Sequence, residues 1–228
     1  MRVMLRYQKL HPMRYVSHLD LMTAFRRAFL RAEIPIAYSE GFHPHPIMAC
    51  ASALPVGATS DMEYMDIALT EGMEGQAIMD RVNAACALGM CVNGAWEVSP
   101  KVPSFMAMVR LAAWRIPCPG ATKAELEEKL EELLRCETIV VEKQGKNGLR
   151  MVDIRPGIES VWVESEGDVP WIMARLDAGS ESNVQPTLLV KALWGEKTGF
   201  PVGLHRTQLW GMTADGHALL ENIAKETI

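Results

Sequence analysis

Helix starts recur in this chain at matching offsets, near residues 17 and 73 and again near 122 and 186, with strand-like runs between them. Helices and strands bury their apolar residues with different periods, so such an alternation restricts the layers that can pack. Arg2 to Tyr7 reads as a strand. Ser17-His18-Leu19-Asp20 has the form of a capping box, a serine with an acid three residues on. Leu21, Met22, Phe25, Ala28, Phe29 and Ala32 come next at helical spacing, and Arg26, Arg27 and Arg31 take the opposite face. Pro35 ends that helix. Ile47 to Leu54 is a short apolar run, and Glu63 to Leu69 alternates acid and apolar residues as a half-buried strand does. A helix over about 73–87 and a strand over 90–99 complete the first half.

The order then returns. Phe105 to Cys118 reads as a long strand, and Thr122 caps a helix over 123–135 with apolar Leu126, Leu130, Leu133 and Leu134. Two strand-like runs, 137–143 and 149–154, flank an Asn-Gly turn of the primed hairpin type. Trp171 to Asp177 alternates again. Pro186 opens a helix to Trp194, at a position where its missing N–H costs nothing. Residues 202–210 read as the last strand, and Thr213 as the cap of a C-terminal helix. Two βαββαβ units imply a duplicated ferredoxin-like α+β fold, an antiparallel sheet with helices packed on one face. The expected divisions are residues 1–100, 101–212 and a C-terminal helix over 213–228.

Composition limits the function classes. The longest uncharged stretch, Gly41 to Ser60, is broken by prolines and histidines, so it is no spanning helix, and MRVMLRYQKL lacks the apolar run of a signal peptide. The expectation is a cytoplasmic location without a membrane partner. Cys50, Cys86, Cys91, Cys118 and Cys136 are dispersed with no C-x-x-C pair, which argues for reduced thiols and against an iron–sulfur cluster held by this chain alone. No cofactor is expected. The net charge of −5 is uneven: residues 1–50 carry seven Lys/Arg against three acids, so a basic segment sits on an acidic body. That pattern suits either a local anion-binding face or a solvated helix face.

The stretch YSEGFHPHPIM, 38–48, is the densest in chemistry-bearing residues. Gly41 permits a positive φ, and Pro44 and Pro46 stiffen the chain after it. Four readings apply. The loop can be a braced connector with Tyr38 and Phe42 packed inward. His43 and His45, two apart, can face one metal ion with His18, Asp20 or Glu40, although nothing fixes the remaining ligands and no metal is assigned. Glu40 and His43 can act as an acid–base pair. The aromatics Tyr7, Tyr15, Tyr38 and Phe42 among Arg6, Arg14, Arg26, Arg27 and Arg31 can stack bases and hold phosphates. Lys101 and Arg110 can extend a basic cleft between the halves. Asp153 and Arg155, two apart on an expected strand, share a side and form either an ion pair or a ligand contact. The candidate binding residues are therefore Arg14, His18, Asp20, Tyr38, Glu40, Phe42, His43, His45, Lys101, Asp153 and Arg155.

The run RYVSHLDLMTAFRRAFLRAEIPIAYSEGFHPHPIM, with LPVG at 54–57, VSPKVPSFMA at 98–107 and VDIRP at 152–156, resembles the bacterial radical SAM-linked proteins of the DUF2344 domain. The resemblance covers the chain to about residue 210. It implies a radical SAM enzyme as partner, with the iron–sulfur cluster and radical chemistry belonging to that partner. The element order, with VNAA and MCVNGAWEV, is also similar at the fold level to tRNA pseudouridine synthases, but the loop here lacks their RTD triplet and only Glu40 offers a carboxylate. Fold does not transfer activity. The resulting expectation is an accessory or substrate-binding module acting with a radical SAM enzyme on RNA or a ribosome-linked substrate, without independent catalysis. The rivals are a stand-alone nucleic-acid-modifying enzyme and a purely structural interaction protein.

Overall fold

Strand β1 (Arg2–Lys9) buries side chains toward both faces, Val3, Leu5 and Tyr7 on one and Met4 on the other. The computed structural model describes residues 1–145, 148–167, 169–195 and 203–226, which divide into two units, Met1–Val109 with Gln208–Ile228 and Arg110–Thr207. In the first unit β1 is followed by α1 (His18–Arg31), β2 (Met48–Cys50), β3 (Thr59–Ala68), α2 (Gly75–Ala85), β4 (Met90–Glu97) and the short α3 (Phe105–Met108). β4 pairs with β1, β1 with β3 and β3 with β2, all antiparallel. The element order of residues 1–100 is thus the one the sequence implies.

Helix α1 forms because its ends and its period agree. Ser17 caps it by accepting from the Asp20 N–H, and Leu21, Phe25, Ala28 and Phe29 are its buried residues. They meet Val3, Leu5 and Tyr7 in one core with Ile78 and Val82 of α2. The Tyr7 and Phe25 rings meet edge to face with centroids 4.8 Å apart, a geometry worth about 1 kcal/mol beyond area burial. The helix ends with Glu33 at φ 53, the left-handed conformation that glycine ordinarily supplies at a helix C-terminus.

The second unit holds β5 (Leu111–Pro117), α4 (Lys123–Arg135), β6 (Val140–Gly145), β7 (Gly148–Asp153), β8 (Ile158–Glu166), β9 (Val169–Asp177) and α5 (Pro186–Trp194). β5, β9 and β8 pair in that order, antiparallel. β10 (His205–Thr213) crosses the division after Thr207. β11 (Gly216–Leu219) pairs with β10, and α6 (Leu220–Glu226) ends the chain's described part.

Several expectations change. Phe105 to Cys118 is not one strand: Ser104 caps a helical turn by accepting from the Ala107 N–H, Phe105 and Met108 are buried, and β5 starts only at Leu111. β6 and β7 form their own two-stranded sheet instead of joining β5 and β9, and β8 enters between β7 and β9 in the chain, so the second unit departs from a strict repeat. The signal for β8 was present in the β-branched and aromatic run Val161-Trp162-Val163. Lys146 and Asn147 of the expected turn lie outside the described residues. Thr213 caps no helix; its hydroxyl donates to the Gly216 carbonyl and accepts from the Asp215 N–H, closing the β10–β11 turn. The helices do not share one face either. Alternation along β1 sends Arg6 away from α1 and α2, and Glu221 of α6 meets it there.

Candidate functional site

The residues 38–46 form a short hairpin arm. Tyr38 and Pro46 make an antiparallel bridge, Ser39 N–H donates to the His45 carbonyl at 2.9 Å, and Ile47 N–H donates to Ala37 at 2.8 Å. A second set of bonds closes the arm: Ser39 Oγ lies 2.8 Å from His45 Nδ1 and accepts from the His45 N–H at 3.1 Å. Ala37 N–H in turn donates to the Ala68 carbonyl, which ties the root to the end of β3. Gly41 at φ 114 turns the tip, a conformation that strains any other side chain.

The tip projects outward. Phe42 is fully exposed (101%), Tyr38 is half exposed at 52%, and Glu40, His43 and His45 are exposed. The connector reading, with Tyr38 and Phe42 packed inward, therefore fails. A bare aromatic ring is thus carried on a closed hydrogen-bonded turn.

The arm stands beside the C-terminal half of α1. Tyr38 and Pro46 of the arm, Arg26, Phe29 and Leu30 of α1, and the connecting residues 34–36 line a groove of about 130 Å³. Register explains the placement. Met48 and Val3 both pair with Ile67 on β3, so the loop that precedes β2 emerges level with the start of β1, where α1 ends. Arg14 and His18 lie at the other end of α1, a helix whose 14 residues span about 20 Å. Glu40, His43 and His45 consequently share no surface with Arg14 and His18.

Each of the remaining candidates has its own local role. Arg14 offers its carbonyl to Lys9 Nζ at 3.2 Å and to the Gly57 N–H at 3.0 Å, and its guanidinium lies 5.8 Å from the Tyr15 ring. Asp20 accepts from the Ser17 hydroxyl at 2.6 Å. Lys101 is exposed in a loop that Arg2 holds by donating to the Val102 and Pro103 carbonyls. Asp153 and Arg155 belong to the second unit and form no ion pair. Arg155 starts a 3-10 turn, and Asp153 Oδ1 instead accepts from the Ile139 and Arg155 N–H groups at 2.8 and 3.0 Å. Among the described residues no three His, Cys, Asp or Glu side chains are grouped to hold a metal ion.

The basic side chains beside the arm complete the surface. Residues four apart on a helix share a stripe: Arg26 and Leu30 line the groove beside the hairpin, and Arg31, which shares its stripe with Arg27, reaches α2. Arg31 donates to the Ala85 carbonyl and, with Arg81 of α2, lines a shallow depression of about 530 Å³. Arg26, Arg27 and Arg31 are exposed, and among the described residues no ion pair joins them or Arg81 to a carboxylate. Four guanidinium groups against the one Glu33 carboxylate that lines the same depression make a local field of net positive charge on a chain of net charge −5. The helical spacing pointed to the first three; nothing local pointed to Arg81.

A second polar cluster lies on the other face of the same unit. Arg6 donates from Nη1 to both oxygens of Glu221, at 2.9 and 3.0 Å, and from Nε to Asn93 Oδ1 at 3.0 Å. The Tyr64 hydroxyl donates to Glu221 at 3.3 Å. Burial, with the Glu221 carboxylate adding to it, pushes the Tyr64 phenol far above its ordinary value, so it stays a donor. The Trp96 ring lies 5.4 Å from the Arg6 guanidinium and 4.2 Å from Lys225 Nζ, and covers Gly94, where a Cβ would meet it at 2.3 Å. With four of its five guanidinium N–H donors directed at Glu221 and Asn93, Arg6 binds α6 to the sheet.

The comparisons with known proteins add a family and a distant likeness. No curated protein matches the chain. A solved structure titled "Crystal Structure of a Cbf5-Nop10-Gar1 Complex" is similar over 90% of this chain and 48% of that one, with 11% identity and a TM-score of 0.41. The chain thus spans about half the length of that relative. A family profile matches residues 2–186, from the first strand to the start of α5, and the chain accordingly belongs to the family described as an uncharacterized protein conserved in bacteria, DUF2344.

Proposed function

We propose that this protein is an RNA-binding accessory module that presents a substrate to a radical SAM enzyme. The observation that carries the reading is the pairing of a rigid, outward-facing aromatic hairpin with an arginine-rich helix end in one unit. Arginines neutralise phosphates, and exposed rings stack on bases, which is the combination nucleic-acid surfaces use. The same residues make a poor catalytic centre. Glu40 and His43 are exposed at the tip, and His45 Nδ1 is engaged by Ser39. The radical SAM partner rests on the sequence resemblance carried by the SHLD and YSEGFHPHP segments. Among the described residues no helix is long and apolar enough to cross a membrane.

Binding of a labelled RNA by fluorescence anisotropy across a salt series tests the first half. Four arginines engaging phosphates predict a slope of log affinity against log salt near −3 for a single strand, at about 0.7 per phosphate neutralised. Replacing Arg26 and Arg27 with glutamine is expected to reduce that slope by about 1.4. Absence of binding at low salt, or an unchanged slope in the double variant, refutes the reading. Affinity capture from a bacterial lysate, with identification of a radical SAM protein by mass spectrometry, tests the partner; its absence with RNA binding intact leaves an RNA-binding protein without that partner.

A further inference from the structure

We infer that the surface takes unpaired nucleotides, with one base stacked on Phe42 and another seated in the groove between Tyr38 and α1; this rests on the RNA-binding reading above. The groove is lined mostly by apolar groups, Phe29 and Leu30 of α1 with Tyr38 and Pro46 of the arm among them, and among the described residues its one charged lining group is Arg26. A flat aromatic group suits such a slot, and a cation at its mouth suits the phosphate that the base carries. Neither feature serves a duplex. Paired bases are already stacked and turn their edges inward, so a side chain can stack only on a base that has been splayed out.

Placement supports two contacts by one strand. Tyr38 and Phe42 are four residues apart on the hairpin, so at most about 14 Å of chain separates them. The turn that carries them is fixed by the Ser39–His45 bonds and the Tyr38–Pro46 bridge, so the rings are presented without a large ordering cost. Arg31 and Arg81 line the depression beside α2 together with the Glu33 carboxylate, and Arg27 is exposed one turn before Arg31, so a strand leaving the groove meets a surface of net positive charge. His43 and His45 flank the ring without being required for stacking.

The test compares a labelled single strand of about ten nucleotides, a length within the site sizes of single-strand binders, with a blunt duplex of the same sequence. The single strand is expected to bind at least tenfold tighter. Phe42→Ala and Tyr38→Ala are each expected to weaken the single strand by about 5- to 100-fold, the range of a lost base–aromatic stack, and to leave the duplex nearly unchanged. Tyr38→Phe keeps the ring and is expected to bind as the parent does; it guards against a folding defect at the groove, and Phe42 is too exposed to support the fold. Equal affinity for strand and duplex, or parental binding by both alanine variants, overturns the inference while leaving an electrostatic RNA-binding surface in place. Failure of both probes to bind at low salt sinks the inference together with the RNA-binding reading.

Discussion

Removing the Glu221 carboxylate is expected to cost more stability than removing both it and its partner. Arg6 and Glu221 are 23% and 10% exposed and meet through two bonds of 2.9 and 3.0 Å, so the pair is mostly withdrawn from water. Breaking a fully buried pair by deleting one partner costs about 3–5 kcal/mol, because the other charge stays behind uncompensated. Residual exposure of Arg6 sets the lower end of that range. The Tyr64 hydroxyl loses its acceptor as well, which adds about 1 kcal/mol. Glu221→Leu should therefore cost about 3–4 kcal/mol. Adding Arg6→Met removes the stranded charge, and Asn93, exposed where it meets Arg6, turns to water at little cost. The double variant should recover about half of the loss, since the Tyr64 hydroxyl still lacks its acceptor, at about 1 kcal/mol, and the contact with Trp96 is gone, at about 0.5–1 kcal/mol. Urea denaturation followed by far-UV circular dichroism, with midpoint and slope fitted separately, measures the cycle. A single variant that costs less than about 1 kcal/mol, or a double variant no better than the single, would refute this account of how α6 is held.

Three further outcomes rest on local features. Glu33→Gly should raise stability by about 0.5–1 kcal/mol, read as a higher urea midpoint, since Glu33 holds at a cost a left-handed backbone that glycine adopts freely. Thr122→Ala should lower the stability of the second unit by about 1 kcal/mol, because the hydroxyl accepts the Glu125 N–H and α4 has a complete capping box; loss of no more than about 0.2 kcal/mol would contradict it. Burial pushes the Cys86 and Cys118 thiols from 9.0 up to about 11, so timed alkylation with mass spectrometry should label exposed Cys136 first at neutral pH and reach the other two only at strongly alkaline pH or on unfolding. The sign is that of a raised acid: the stability these two thiols lend is complete below pH 9 and drains as the pH climbs through about 11.

Helices α1, α4 and α5 were legible from sequence because their signals are local. Ser17 and Thr122 cap the first turns of α1 and α4, Pro186 is the first residue of α5, and the apolar spacing then fixes which side is buried. The basic stripe of Arg26, Arg27 and Arg31 and the braced tip of the 38–46 loop were equally open to reading. Strand ends were less so. β2 shrank to Met48–Cys50 because only those residues find partners on β3, and apolar character alone does not say how far pairing runs. Where the tip stands, and what stands beside it, belonged to tertiary structure. The shared alignment of Met48 and Val3 with Ile67 carried the loop to the C-terminal end of α1 and away from Arg14 and His18. Packing of α2 beside α1 brought Arg81 to Arg31, and folding of the chain end onto the sheet brought Glu221 to Arg6 across 215 positions. Such meetings are set by strand register and helix packing between distant segments, and a residue's chemistry and immediate neighbours carry no record of the partner that will arrive.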